Sequence, residues 1–379
     1  MTRGAWAVRP ADGGAGAPRV TTVSSAPPSP VDAATVDTAA VDTATLDALR
    51  RVVAPLGVPV GARQLTGGMF ATTHGVRLDD GTTVVVKTAP TASERLMTYE
   101  HDLVRTEALV YALVADRPDL LMPRLLRFDG SRTDLPGDVV VASFLPGTPW
   151  DDAGLGTVDE DPRAARAQRD LGSLMARLHT VTGERFGYVG AVDRAGGDDD
   201  PPGARLHGDT WPVAFGRLVG AILDDAAHWG VDVPADEIRA ALARHHDALA
   251  QVTTPVLVHG DLWPGNLFLD EHGALVGVID PERALWADPL MELVGADQFG
   301  HADVAPGLLA GYRDGGGALD LDSPDARVRL LLYRMYMSAI LHVEPEPRGY
   351  TGEFGDWYRR ASGELLRWSL DRLAPGPGR

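Results

Sequence analysis

The chain has 379 residues, 23% charged and 44% hydrophobic, enough to bury a core without covalent help. It has no cysteine, which excludes disulfide frameworks, thiolate zinc sites and thiol nucleophiles and fits a reducing, cytoplasmic setting. Lys plus Arg is 35 against 53 Asp plus Glu, a net charge of −18. With no Lys/Arg-rich run, that balance excludes a nucleic-acid partner, while an acidic field aids solubility and attracts cations. No segment approaches the ~18–20 apolar residues of a membrane span, so no membrane partner is expected.

Residues 1–40 are rich in Ala, Gly, Pro, Ser and Thr and read as a disordered tail, because they bury too little apolar surface to offset ordering. A helix starting near Thr43 to Thr45 runs to Val53, with Leu46, Leu49, Val52 and Val53 as its stripe. Ala62 to Thr66, Thr72 to Leu78 and Thr82 to Thr88 read as strands. Gly67-Gly68 breaks the first from the second, and Asp79-Asp80-Gly81 turns the second into the third. A helix over Tyr99 to Ala115 and strands over Arg124 to Asp129 and Asp138 to Phe144 complete a five-stranded antiparallel sheet with one inserted helix. Leu145 to Pro149 reads as a linker. Beyond it the chain is mainly helical, with helices predicted over 162–182, 210–228, 236–251, 289–299, 303–313, 326–342 and 352–373. The organisation expected is therefore an α+β, two-lobed molecule: tail 1–40, sheet lobe 41–145 and helical lobe 146–379.

The exception to the helical pattern is Pro255 to Ile279. The short strand Val256-Leu257-Val258 leads into His259-Gly260-Asp261-Leu262-Trp263-Pro264-Gly265-Asn266, then a hairpin, then Asp280-Pro281-Glu282. A second His-Gly-Asp, at His207 to Asp209, has no apolar strand before it and Ala214 where the Asn would fall; it reads as the approach to a helix capped by Asp209 or Thr210.

The order His-x-Asp-x4-Asn followed by Asp after one hairpin resembles the catalytic loop of the protein-kinase-like superfamily. It is most similar to the aminoglycoside phosphotransferase and fructosamine kinase branch. Leu178-His179, Phe186-Gly187-Tyr188 and the 280–289 stretch share in the resemblance, which covers about residues 45–345. It implies a bilobal kinase-like fold, with ATP and Mg2+ as nucleotide and metal. Transfer of a phosphoryl group needs an in-line hydroxyl, a proton acceptor and metal ions to spread charge. Asp261 is placed to accept the hydroxyl proton, and Asn266 and Asp280 offer hard oxygens to magnesium. By resemblance, the His259 ring braces the loop.

Lys87, the sole lysine, ends the run Val84-Val85-Val86, where the superfamily places its phosphate-binding lysine. Glu107 is its expected partner, with Glu100, two helical turns earlier, as the alternative. Gly67-Gly68 resembles the short phosphate-covering loop of the antibiotic kinases, though an ordinary hairpin turn reads nearly as well. Ser143 and Leu145, in Ala142-Ser143-Phe144-Leu145, mark the expected adenine hinge.

Trp263 replaces the lysine that protein kinases carry two residues after the catalytic Asp, and no peptide-docking segment separates Asp280 from the Pro289 helix. A small substrate is therefore expected. Glu282, Asp288 and Glu292 are candidate carboxylates for a cationic substrate, and Trp263 and Trp286 are candidate stacking surfaces. Capping of the Pro289 helix is the equal alternative for Asp288 and Glu292. Asp297 reads as facing solvent. The resemblance implies an antibiotic-modifying kinase of the aminoglycoside type, with a metabolite kinase for a fructosamine, choline-like or amino-alcohol substrate as the alternative. A nucleotide-binding pseudokinase is a further reading, disfavoured by the intact Lys87, Asp261, Asn266 and Asp280.

Overall fold

The computed structural model describes residues 41–65, 71–90, 95–193, 202–301 and 303–375. The expected tail and the Gly67-Gly68 turn lie outside these. Helix α1 (Thr43–Val53) starts at Asp42, whose Oδ1 accepts the Thr45 N–H at 2.9 Å. Strands β1 (Pro59–Leu65), β2 (Thr72–Leu78) and β3 (Thr83–Thr88) follow. Helix α2 (Leu103–Leu113) comes next, then β4 (Leu125–Asp129) and β5 (Val139–Ser143). The five strands form one antiparallel sheet in the order β1-β2-β3-β5-β4.

Strand alternation sorts the sheet's two faces. Val84, Val86, Val139 and Val141 pack with Leu49, Val52 and Val53 of α1. On the opposite face Val140 and Ala142 pack with Val104, Ala108 and Tyr111 of α2. Lys87 lies opposite Val140 in register, so the period of two delivers its side chain to the α2 face. The helix expected from Tyr99 begins instead with a 3-10 turn, Thr98–Asp102. There Glu100 turns back to accept the Met97 N–H at 2.8 Å.

The rest is helical around two small sheets. The elements are β6 (Thr148–Pro149), α3 (Pro162–Leu178), β7 (Phe186–Tyr188), α4 (Val189–Asp193), β8 (His207–Gly208), α5 (Trp211–Trp229), α6 (Ala235–Arg244), α7 (His246–Ala250) and β9 (Val256–Val258). Then follow β10 (Leu267–Leu269), β11 (Leu275–Val278), β12 (Leu285–Ala287), α8 (Leu290–Ala296), α9 (Pro306–Asp314), α10 (Pro324–Val343) and α11 (Gly352–Leu373). The hairpin β10–β11 recruits β6, so the supposed linker ends as a paired strand. The helix expected over 236–251 breaks at His245, whose φ of −106° and ψ of 21° leave the helical basin.

The short β12 was not expected. It lies between β7 and β9 and buries Leu285, Trp286 and Ala287. Likewise His207-Gly208 is strand β8, hydrogen-bonded to β7. Asp209 pairs with Arg185 at 2.8 Å, and Thr210 stands at the N-cap of α5 without a side-chain capping bond. The second His-Gly-Asp is thus sheet edge and helix entry.

Helices α3 and α9 cross closely because glycines face each contact. A Cβ on Gly172 would lie 2.0 Å from the Leu308 carbonyl oxygen, and one on Gly311 1.9 Å from that of Arg169. Gly311→Ala is therefore expected to cost about 2–3 kcal/mol by overpacking. Gly216→Ala, in α5 with nothing within 4 Å, should be neutral or stabilising. Urea unfolding of the two variants checks the contrast.

Candidate active site

The β10–β11 hairpin assembles the site from the loop before it and the turn after it. The Ile279 N–H donates to the Asn266 carbonyl at 3.0 Å, which ties the two ends of the hairpin together. Asp280 follows in the left-handed region, φ 67° and ψ 49°, a conformation that Asp tolerates better than most residues. This twist turns its carboxylate to the Lys87 ammonium.

Lys87 sits inside a cage of three carboxylates. Its Nζ lies 2.7 Å from Glu107 Oε2 and 2.7 Å from Glu282 Oε2, and it also pairs with Asp280. Burial alone would lower the lysine, but the charges of Asp280, Glu107 and Glu282 outweigh it and hold the ammonium well above the ordinary lysine range. Burial raises Glu107, with Lys87 only partly offsetting it. Burial and the neighbouring Asp280 charge raise Glu282. Asp280 is also buried, yet Lys87 holds it below the usual carboxylate range. Three carboxylates around one ammonium leave an excess of negative charge, which a further cation or a retained proton relieves. Glu100 is not part of the cage; it pairs with Arg348.

The catalytic-type loop is braced from below. Glu292, fully buried in α8, accepts the His259 N–H at 2.8 Å and the Gly260 N–H at 3.0 Å. The His259 ring donates from Nε2 to the Ile279 carbonyl at 3.1 Å and accepts the Asp261 N–H on Nδ1 at 3.3 Å. Those two bonds fix one neutral tautomer, and burial holds the ring below its ordinary pKa. Gly260 has φ 78°, and a Cβ there would lie 2.8 Å from the Arg283 carbonyl oxygen, so the middle residue of His-Gly-Asp is constrained twice.

Asp261 emerges from this loop. Asn266 Nδ2 donates to its carbonyl at 2.9 Å and to its Oδ2 at 3.2 Å. Gln298 Nε2 donates to its Oδ1 at 2.5 Å. Burial raises the Asp261 carboxyl to about 6; Arg283 opposes the rise and Asp280 adds to it. Arg283 is in turn held by Glu344 at 2.8 Å. The residues present fit a magnesium ion. Asn266 directs its amide hydrogens to Asp261, so its amide oxygen accepts no hydrogen bond from a described residue, and Asp280 offers a carboxylate oxygen within 4.8 Å of those of Glu107 and Glu282.

Several expected substrate contacts are corrected. Glu282 is buried against Lys87 and does not face an open pocket. Asp288 caps α8 through the Leu290 N–H at 3.0 Å and binds Arg329 at 2.7 Å and the Tyr333 hydroxyl at 2.7 Å. It is 2% exposed, so its lone pairs are committed inside the protein. Trp286 packs in β12 over Gly183, where a Cβ would lie 2.5 Å from the ring. Asp297 is not simply solvent-facing: its carbonyl accepts from the Arg334 guanidinium. Trp263 alone of these remains open, at 38% exposure, its ring folded over Gly265.

Ser143 lies at the end of β5, its Oγ accepting the Arg124 N–H at 2.9 Å. The Leu145 side chain packs at Gly277 of β11, between the sheet and the hairpin. Two residues that carry the site gave little warning. Glu292 was read as a candidate carboxylate for a cationic substrate or a helix-capping acid and instead braces the loop, fully buried, and Gln298 had no motif at all.

Comparison with known proteins places this geometry. The model of a phosphotransferase enzyme family matches residues 61–330. Over 122 residues the chain is 30% identical to a probable ketoamine kinase of Enterococcus faecium, a match covering 30% of this chain and 41% of that protein. The chain thus spans about two fifths of the length of this curated relative. Among solved structures it resembles a provisionally assigned fructosamine-3-kinase from Thermobifida fusca, at 21% identity and a TM-score of 0.58, over 85% of this chain and 98% of that one. It also resembles a thermostable mutant of an aminoglycoside phosphotransferase in ternary complex with AMP-PNP and hygromycin B. That similarity has 18% identity and a TM-score of 0.52, over 86% and 98% of the two chains.

The brace under the loop generates a stability prediction. Glu292→Gln keeps the shape but leaves one acceptor oxygen for two buried N–H donors. It is expected to cost about 2–3 kcal/mol, because a buried donor loses a charged acceptor. Chemical denaturation measures it, and a change below 0.5 kcal/mol would contradict the bracing role.

Proposed function

Because this chain belongs to the phosphotransferase enzyme family, we propose that it transfers the γ-phosphoryl group of ATP to a hydroxyl of a small, cationic molecule. The observation that carries the reading is the linkage of Lys87 to Asp280 and of Asn266 to Asp261, brought from β3 and from both ends of one hairpin whose ends the Ile279–Asn266 backbone bond ties together. Catalysis of this reaction consists of positioning and of stabilising charge, and each residue has a part in it.

Lys87 holds the α- and β-phosphates, steadied by Glu107. Asn266 Oδ1 and Asp280 would hold magnesium, which when bound would supply charge neutralisation on the transferring phosphoryl group. Asp261 takes the proton from the acceptor hydroxyl as its oxygen attacks the γ-phosphorus. The bond from that phosphorus to the bridging oxygen breaks, and ADP leaves. The Ser143 to Leu145 segment contacts the adenine. His259 and Glu292 orient the loop without touching the reacting atoms.

A cationic acceptor suits the net charge of −18 and the exposed Trp263 face. With Glu282 and Asp288 committed elsewhere, that open indole and the overall acidic field are what favour it. The ketoamine and fructosamine relatives support a sugar-amine acceptor. The aminoglycoside neighbour supports the antibiotic reading, and both acceptors are polyhydroxylated amines.

Mass spectrometry of fructosamines, aminoglycosides and amino alcohols after incubation with ATP, magnesium and protein tests the proposal. One compound should gain a single phosphoryl group, and Asp261→Asn should lower that turnover by 10²-fold or more, on the order of a lost general base. Product formed at an undiminished rate by Asp261→Asn would remove Asp261 from the reaction. The pH dependence has a definite sign. Asp261 must be deprotonated to accept, and its carboxyl is raised to about 6, so kcat/KM should fall as pH drops through about 6. A profile flat from pH 8 to pH 5 would contradict it.

A further inference from the structure

A turn 37 residues beyond the catalytic-type loop reaches back to Asp261. Helix α8 ends at Ala296, and Asp297, at φ −138° and ψ 73°, leaves the helical path. The Gly300 N–H closes the turn on the Asp297 carbonyl at 3.1 Å. A Cβ on Gly300 would lie 1.8 Å from Asp297 Oδ2, so the Asp297 side chain packs closely over the turn.

Beneath it lies Arg334 of α10, 1% exposed. Its Nη1 donates to the Asp297 carbonyl, its Nη2 is 3.9 Å from Asp297 Oδ2, and its Nε has no hydrogen-bond partner among the described residues. Burying a guanidinium with so little compensation is costly. Here the cost goes into pinning one turn. The product of that pinning is the placement of Gln298, whose amide N–H meets Asp261 Oδ1. Only the NH2 side of the amide can face a carboxylate at that separation, since oxygen against oxygen repels.

Asp261 is therefore held on both oxygens: by Asn266 on Oδ2 at 3.2 Å and by Gln298 on Oδ1 at 2.5 Å. Asn266 has a second duty toward magnesium, so the contact that depends on no other ligand is that of Gln298. We propose that Gln298 is a positioning residue for Asp261, fixing Oδ1 so that Oδ2 is the oxygen presented to the acceptor hydroxyl. This inference rests on the phosphoryl-transfer reading above. A proton acceptor held in line gains rate through orientation, so losing the clamp should appear in kcat more than in nucleotide affinity.

Gln298→Leu and Gln298→Glu separate orientation from packing. The glutamate variant keeps the length and volume of glutamine but faces Asp261 with a second carboxylate. With the acceptor identified above, kcat should fall about tenfold or more in Gln298→Leu, and at least as far in Gln298→Glu, with KM for ATP changed less than about twofold. A Gln298→Glu protein that melts with the wild type and keeps kcat within about twofold overturns the proposal.

A second measurement needs no acceptor and so tells failure of this inference from failure of the kinase reading. The chain has glutamines at 64, 168, 251 and 298. In protein labelled with side-chain 15N-glutamine, one amide pair should carry a strongly deshielded proton that returns to the ordinary range in Asp261→Ala. Four pairs unaffected by Asp261→Ala would show that the clamp does not exist and would overturn the proposal.

Discussion

An ammonium on the central strand of the sheet meets carboxylates from a helix and from the turn after the hairpin, and the rest of the site is arranged around that meeting. Lys87 bridges Glu107 of α2 to Asp280 and Glu282, which belong to the other part of the molecule. The pair is favourable only because the groups are brought together desolvated and in number; an ammonium with no partner on that face would lose its charge or unfold its surroundings. The excess of carboxylate over ammonium gives the cage its chemical character. It is a site with too little positive charge, in which burial raises the carboxyls of Glu107 and Glu282. On the proposed function, a nucleotide arriving with magnesium would bring phosphate for Lys87 and metal for Asp280, and the cage is then a resting arrangement of the catalytic groups.

The second constraint is rigidity under the loop. Backbone donors that a turn leaves unpaired have to be satisfied when buried. Here Glu292 takes two of them, His259 ties the loop to Ile279, and Gly295 lets α8 approach the Gly260 backbone, where a Cβ would lie 2.7 Å from the Gly260 carbonyl carbon. Helix α8 therefore serves the loop twice: its interior acid braces His259 and Gly260, and the turn at its end delivers Gln298 to Asp261. Loop and helix end are held as one unit, which suits a reaction that depends on placement rather than on covalent chemistry by the protein.

Much of this was legible in the sequence because the residues that carry it have few alternatives. The run of valines ending in Lys87 specifies a strand, and its alternation specifies which face the lysine takes. His259 to Asn266 followed by Asp280 specifies the catalytic-type hairpin. What was not legible depends on tertiary contact. The strand Leu285–Ala287 is three residues long and gains its hydrogen bonds from β7 and β9, distant in the chain, so no local period announces it. Its pairing buried Trp286, which had looked like a stacking surface. Asp288 and Glu282 were read correctly as near the loop, but nearness in sequence does not say whether a carboxylate faces solvent or a buried cation. Arg329, Tyr333 and Lys87, which settle that, lie 41, 45 and 195 residues away. Gln298 is a polar residue in a turn, with no spacing rule to set it apart.

The most direct test of the central claim uses the fact that the chain has one lysine. Protein labelled only with 15N-lysine gives a single side-chain ammonium resonance, that of Lys87, protected by its carboxylate cage. Addition of AMP-PNP with magnesium should move this resonance as the ammonium exchanges carboxylate for phosphate, and Glu107→Gln should weaken the response. A Lys87 resonance that stays unmoved at saturating nucleotide would contradict the account, since the cage would then have no part in holding the phosphates.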